Sequence, residues 1–93
     1  MWARVARFEG DPADIDARVE KLRSGVDAGT LASELADAKL LMLVDRRSGG
    51  MLGVALFDTE EAMRKADEAM YAGPGNAGRR TSVVFYEVPL HTL

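Results

Sequence analysis

Residues 39–57, KLLMLVDRRSGGMLGVALF, restrict what this chain can fold into more than any other stretch. Two apolar runs, residues 40–44 and 51–57, flank the polar, glycine-ended segment Asp45-Arg46-Arg47-Ser48-Gly49-Gly50. Short runs rich in branched residues, separated by turn chemistry, read as two antiparallel strands of a hairpin. A strand with one wet face alternates apolar and polar residues, and neither run does. Unbroken apolarity requires cover on both faces. One helical layer covers only one face, so something else must cover the other.

The rest of the chain arranges itself around that hairpin. Residues 1–9 read as a first strand, with Trp2, Val5 and Phe8 supplying bulk and β propensity. Gly10 breaks it, Asp11 suits a helix N-cap, and Pro12 suits the first helical position. Ile15, Val19, Leu22 and Val26 share one face at helical spacing, while Asp16, Glu20 and Arg23 face out. Residues 30–37, TLASELAD, read as either a short helical turn or an irregular connection. After the hairpin, Asp58 with Glu61 three residues on resembles a capping box, and opens a second helix. Its expected apolar face is Ala62, Met63, Ala66, Ala69 and Met70, and Gly73-Pro74 stops it. Residues 81–88 form a last strand, ended by Pro89.

This order is β-α-β-β-α-β. Right-handed crossovers in both halves give a four-stranded antiparallel sheet, an α+β fold of ferredoxin-like topology, with the helices on one face and the first and third strands central. The helix-free face is then bare and apolar, which in a soluble protein marks an association site. Two such sheets are expected to pack face to face about a two-fold axis, making a homodimeric α+β barrel. Residues 1–93 make one domain, and a domain of this size buries roughly 60–70 % of its unfolded surface, so association adds useful burial.

Composition removes several classes of function. Fifteen acidic and twelve basic residues are scattered without a basic stripe, so nucleic acid is not an expected partner. The absence of cysteine removes disulfides, thiolate chemistry and cysteine metal sites together. No run approaches membrane-spanning length, and the first residues lack an apolar signal core, so the expectation is a cytoplasmic protein with no membrane partner.

The element order, the segment LLMLVDRRSGGMLGVALFDTEEAM and the closing VVFYEV resemble the dimeric α+β barrel superfamily, and within it the antibiotic-biosynthesis-monooxygenase-like domains and their uncharacterised small relatives. The resemblance spans essentially the whole chain and is one of pattern. Proteins of that superfamily include cofactor-free oxygenases of aromatic polyketides, haem-degrading enzymes and small isomerases. The oxygenases use polar cleft residues, typically including an asparagine and a tryptophan. The haem-degrading members pair those two types and take a haem-ligating histidine from the second helix region. Here the only asparagine is Asn76, in a glycine-rich loop, the only tryptophan is Trp2, and residues 60–72 hold no histidine. The resemblance therefore carries over no catalytic residue and does not extend to haem degradation, and no cofactor is expected.

Four residues stand out as candidate ligand contacts, each with a plainer reading beside it. Arg4 shares strand parity with Trp2, Ala6 and Phe8. If that face looks inward, Arg4 is a cation in an apolar cleft that needs a partner or an anionic ligand; otherwise it is a salt bridge or reaches to water. Tyr86 can orient a ligand through its hydroxyl or bond to backbone, and Trp2 can line a cleft or anchor a core. His91 is of the residue type suited to acid–base work near neutral pH, though near a chain end a histidine is usually a surface residue. A lone histidine makes no metal site. Two apolar sets, Val83/Phe85 and Val84/Tyr86/Val88, leave open which face of the last strand looks inward. Residues 73–78 match G-x-G-x-x-G, but a dinucleotide fingerprint needs a strand before it and a helix after it, and here the order is reversed. Arg46-Arg47 and Arg79-Arg80 read as solvated basic pairs in turns.

The functional expectation is a small homodimeric barrel protein that binds a small apolar or aromatic molecule in its sheet cleft or serves as an assembly domain. The alternative is a cofactor-independent monooxygenase acting on an activated aromatic, polyketide-like substrate.

Overall fold

The computed structural model describes residues 1–27, 38–72 and 79–93. Along the chain these form β1 (Trp2–Glu9), a single 3-10 turn (Pro12–Asp14), α1 (Ile15–Asp27), β2 (Lys39–Val44), β3 (Met51–Phe57), α2 (Glu60–Ala72) and β4 (Arg79–Glu87). The strands make one four-stranded sheet in the order β2-β3-β1-β4, with every neighbouring pair antiparallel. The expected order and the central placement of the first and third strands are both present. The stretch 30–37, the loop 73–78 and the side chains of Val26, Met70, Tyr71, Arg79 and Arg80 lie outside the described residues.

Local chemistry explains the element ends. Asp11 caps the first helical segment, its carboxylate accepting from Ala13 N at 2.9 Å, and Pro12 follows where a missing N–H is harmless. The second helix is capped one residue later than expected. Thr59, not Asp58, supplies the acceptor, its hydroxyl oxygen taking the Ala62 N–H at 3.1 Å. Of the expected apolar face, Met63 and Ala66 are fully buried and Ala69 partly so, while Ala62 faces solvent. The last strand begins two residues earlier than expected. A bulge between Arg7 and Phe8 absorbs one extra β4 residue, Thr81, whose hydroxyl donates to Arg7 O at 3.4 Å.

The hairpin turn is built on Asp45. Its carboxylate accepts from Arg47 N at 2.9 Å and Ser48 N at 3.4 Å, which draws the turn closed. Gly49 has φ of +84°, where a side chain is strained, and a Cβ there would also collide with Gly10 O. Arg18 Nη1 donates to Gly49 O at 3.1 Å, and Arg46 pairs with Asp16 at 2.9 Å. The turn is thereby pinned to the start of α1, which fixes the hairpin against the rest of the sheet.

Residues opposite one another in an antiparallel ladder project to the same side, so register assigns the two faces. Trp2, Arg4, Ala6 and Phe8 share a face with Phe57, Ala55, Gly53 and Met51 on β3 and with Phe85 and Val83 on β4. This is the face that α2 covers, although at the β2 edge Leu40, Met42 and Val44 remain exposed. Ala55, Phe57, Met63 and Ala66 form its buried cluster, with Trp2, Ala38 and Phe85 packed against it. The Arg64 guanidinium of α2 sits 5.2 Å from the Phe85 ring centroid. The parity of β4 is settled: Phe85 and Val83 look toward the helices, and Val84 and Tyr86 look away.

Candidate functional site: the helix-free sheet face

The opposite face carries three rows of side chains. Lys39, Leu56, Ala3 and Tyr86 make the first, Leu41, Val54, Val5 and Val84 the second, and Leu43, Leu52, Arg7 and Ser82 the third. The middle row is wholly branched and apolar. Leu41 is 47 % exposed, Leu43 50 %, Val84 42 % and Tyr86 52 %, values far above those of core side chains. Leu56 and Ala3 are already buried by their neighbours, so the uncovered surface runs along β2 and β4. The buried cluster that α2 makes with the sheet lies on the other side.

Polar groups gather at one end of it. A groove of about 270 Å³ is lined by Arg7, Leu43, Asp45, Ser48, Gly50 and Leu52, among others. The Asp45 carboxyl is held below the usual carboxylate range, chiefly by the Arg47 backbone N–H and then by Ser48. It shares the groove with the exposed Arg7.

The structure distributes the four residues singled out in the sequence over three places. Tyr86 is on the open face. Trp2 and Arg4 are on the helix-covered face, Trp2 packed on the buried cluster and Arg4 only 4 % exposed, with Nε 2.8 Å from Asp67 Oδ1 of α2. His91 lies beyond β4 in an exposed tail. They do not converge on one pocket. Two participants escaped sequence reasoning. Arg7 follows from strand parity once Arg4 is known to face the helices, so the signal was there. Asp67 had none, because its partner is 63 residues away. Among the described residues no cluster of three His, Cys, Asp or Glu could hold a metal, and no helix is long and apolar enough to cross a membrane.

No protein-family model matches the chain, and no curated protein matches it. Solved structures do. A monooxygenase of Streptomyces coelicolor, determined in complex with the ligand Nanaomycin D, superposes with a TM-score of 0.65 at 20 % identity, covering 99 % of this chain and 90 % of that one. A Chloroflexus aurantiacus protein assigned to the antibiotic biosynthesis monooxygenases superposes with a TM-score of 0.59 at 14 % identity, covering 99 % and 95 %. The likeness is one of fold. The chain has the ferredoxin-like α+β fold of the antibiotic-biosynthesis-monooxygenase-like structures, the resemblance carried in the sequence by its hairpin and element order.

Proposed function

We propose that this protein acts as a cytoplasmic homodimer whose bare sheet faces close on each other, leaving a cleft that takes a small apolar or aromatic molecule. The observation that carries the reading is the apolar middle row Leu41, Val54, Val5 and Val84, whose ends Leu41 and Val84 are exposed. Such a patch is costly in water and self-complementary about a two-fold axis, where each copy offers the other the same apolar surface. Groups on that face that could orient a ligand sit at its margins, among them the Tyr86 hydroxyl, the Arg7 and Lys39 cations, Ser82, and the Asp45 and Ser48 side chains of the groove. A central apolar floor with polar margins suits a planar molecule whose oxygens reach the rim.

The experiment is the solution mass at low micromolar concentration, followed by a thermal-shift screen of aromatic compounds. A mass of twice the 10.1 kDa chain supports the dimer, and a ligand bound to the folded state raises the melting temperature. A stable monomer overturns the reading.

A second reading, a cofactor-independent monooxygenase, is favoured by the fold shared with the Streptomyces coelicolor enzyme. In that chemistry the substrate carbanion reduces oxygen itself, and the protein contributes orientation and exclusion of water. Oxygen uptake with a hydroxyanthrone separates it from simple binding.

A further inference from the structure

We infer that the outer edge of β2 is a second self-association contact, at which the β2 strands of two copies pair antiparallel about a two-fold axis through Met42. The contact is separate from the face-to-face packing proposed above. Stacked sheets lie about 10 Å apart, whereas ladder partners need about 4.8 Å, so face packing leaves each edge unpaired.

The two edges of the sheet differ. β4 opens on Arg79-Arg80, ends on Glu87 and is bent by the bulge at Arg7 and Phe8, all features that keep a foreign strand away. β2 has no proline, its register on β3 runs from Lys39 to Val44 without a shift, and its one charge, Lys39, stands at the end. Among the described residues nothing pairs with its outer side. Apolar side chains are exposed on both of its faces, Leu40, Met42 and Val44 on one, Leu41 and Leu43 on the other. An unguarded apolar edge of this kind is a template for another strand.

Backbone polarity, facing and charge select the occupant and its register. Asp45 N donates to Gly50 O at 2.9 Å, so Asp45 turns its backbone toward β3. Backbone groups alternate along a strand, so Leu43 and Leu41 do the same, while Leu40, Met42 and Val44 point N–H and C=O outward. A two-fold axis normal to the sheet keeps each face on its own side, so residues opposite one another share parity. Centring on Met42 satisfies both conditions. Met42 then meets its own copy, Leu40 meets the second copy's Val44, and each of these pairs exchanges ladder hydrogen bonds in both directions. The same register sets Lys39 opposite the second copy's Asp45 at both ends of the ladder. Lys39 has no ion-pair partner among the described residues, and opposite charges facing across a ladder stabilise it. The neighbouring allowed register, centred on Leu41, sets Lys39 against Leu43 and makes no such pair. One strand of six residues is a smaller contact than a sheet face, so it forms at higher concentration than the face-to-face dimer.

The chain has no cysteine, so a single introduced thiol reports only its own contact. Met42→Cys and Leu40→Cys are compared under mild oxidation, at sites of similar exposure, 36 % and 40 %. Two thiols at position 42 meet across the axis with Cα atoms about 5.5 Å apart, within disulfide reach, whereas two at position 40 lie about 14 Å apart. Met42→Cys is expected to form the covalent dimer about tenfold faster or more. Sedimentation over a dilution series gives the second readout. The wild-type mass is expected to climb above its low-micromolar value as concentration rises. Met42→Pro removes an N–H that points away from β3, and is expected to abolish the climb while leaving the low-micromolar mass unchanged. Lys39→Glu sets like charges opposite one another and is expected to move the climb to about tenfold higher concentration or more. Equal oxidation of the two thiol variants, or a wild-type mass that stays flat, overturns the inference. A climb that starts from one chain instead of two supports it and overturns the face-to-face reading alone. If Met42→Pro does not fold, the thiol pair decides.

Discussion

Arg4 Nε lies 2.8 Å from Asp67 Oδ1, so that one ion pair ties a central strand of the sheet to the middle of α2 across 63 residues of sequence. Its energetics are those of a pair whose halves depend on each other. Asp67→Ala leaves a buried guanidinium without its counter-charge and is expected to cost about 3 kcal/mol, the low end for a broken buried pair because Asp67 keeps some contact with water. Urea denaturation measures it. Replacing both partners, Arg4→Met with Asp67→Leu, is expected to restore much of the loss, since neither charge then remains stranded.

The bare sheet face makes a separate prediction about assembly. Val84→Lys or Leu41→Lys places a charge in the middle apolar row without touching the helix-covered core. Each is expected to lower the solution mass to that of one chain, with the circular dichroism spectrum of the fold retained. A dimer that survives both substitutions would show that this face is not the contact.

Gly49 tests the turn. Its φ of +84° and its contact with Gly10 O leave no place for a Cβ. Gly49→Ala is expected to destabilise the protein by about 1–3 kcal/mol, from the strained backbone and the displaced carbonyl, and thermal melting measures it. The same change at Gly53, where a Cβ meets nothing closer than 3.5 Å, is expected to be far milder.

The Asp45 carboxyl gives the fold a pH dependence of known sign. The Arg47 and Ser48 groups lower its pKa in the folded state. A lowered folded pKa means the turn's contribution is present above the unfolded value and fades as pH falls through the folded one. The stability gap between wild type and Asp45→Ala is therefore expected to be full at neutral pH and to shrink in acid. A gap that is constant across that range would contradict the assignment.

His91 supplies the control. It sits in an exposed tail after β4, and His91→Ala is expected to change stability by no more than about 0.5 kcal/mol, the ordinary range for a surface substitution. A large loss of ligand binding in that variant would instead bring the tail into the cleft.

The sequence alone determined the element order, the hairpin and the antiparallel sheet with β1 and β3 at its centre. Those follow from local signals, the apolar runs of residues 40–44 and 51–57, the turn chemistry at Asp45 to Gly50, and the caps and breakers at Asp11, Pro12 and Gly73. Such signals act over a few residues, so they survive without knowledge of the partner strand. The cap at Thr59 instead of Asp58 was the kind of one-residue choice that local chemistry leaves nearly degenerate. What only the tertiary structure decided was facing. The sets Val83/Phe85 and Val84/Tyr86 are equally apolar, and a period of two cannot say which one meets the helices. That choice comes from the register of β4 on β1 and the bulge at Arg7, which together turn Phe85 toward α2 and Tyr86 toward the open side. The same facing put Arg4 beneath α2 against Asp67, a pairing set by packing between distant segments, on which neither residue's neighbours in sequence bear.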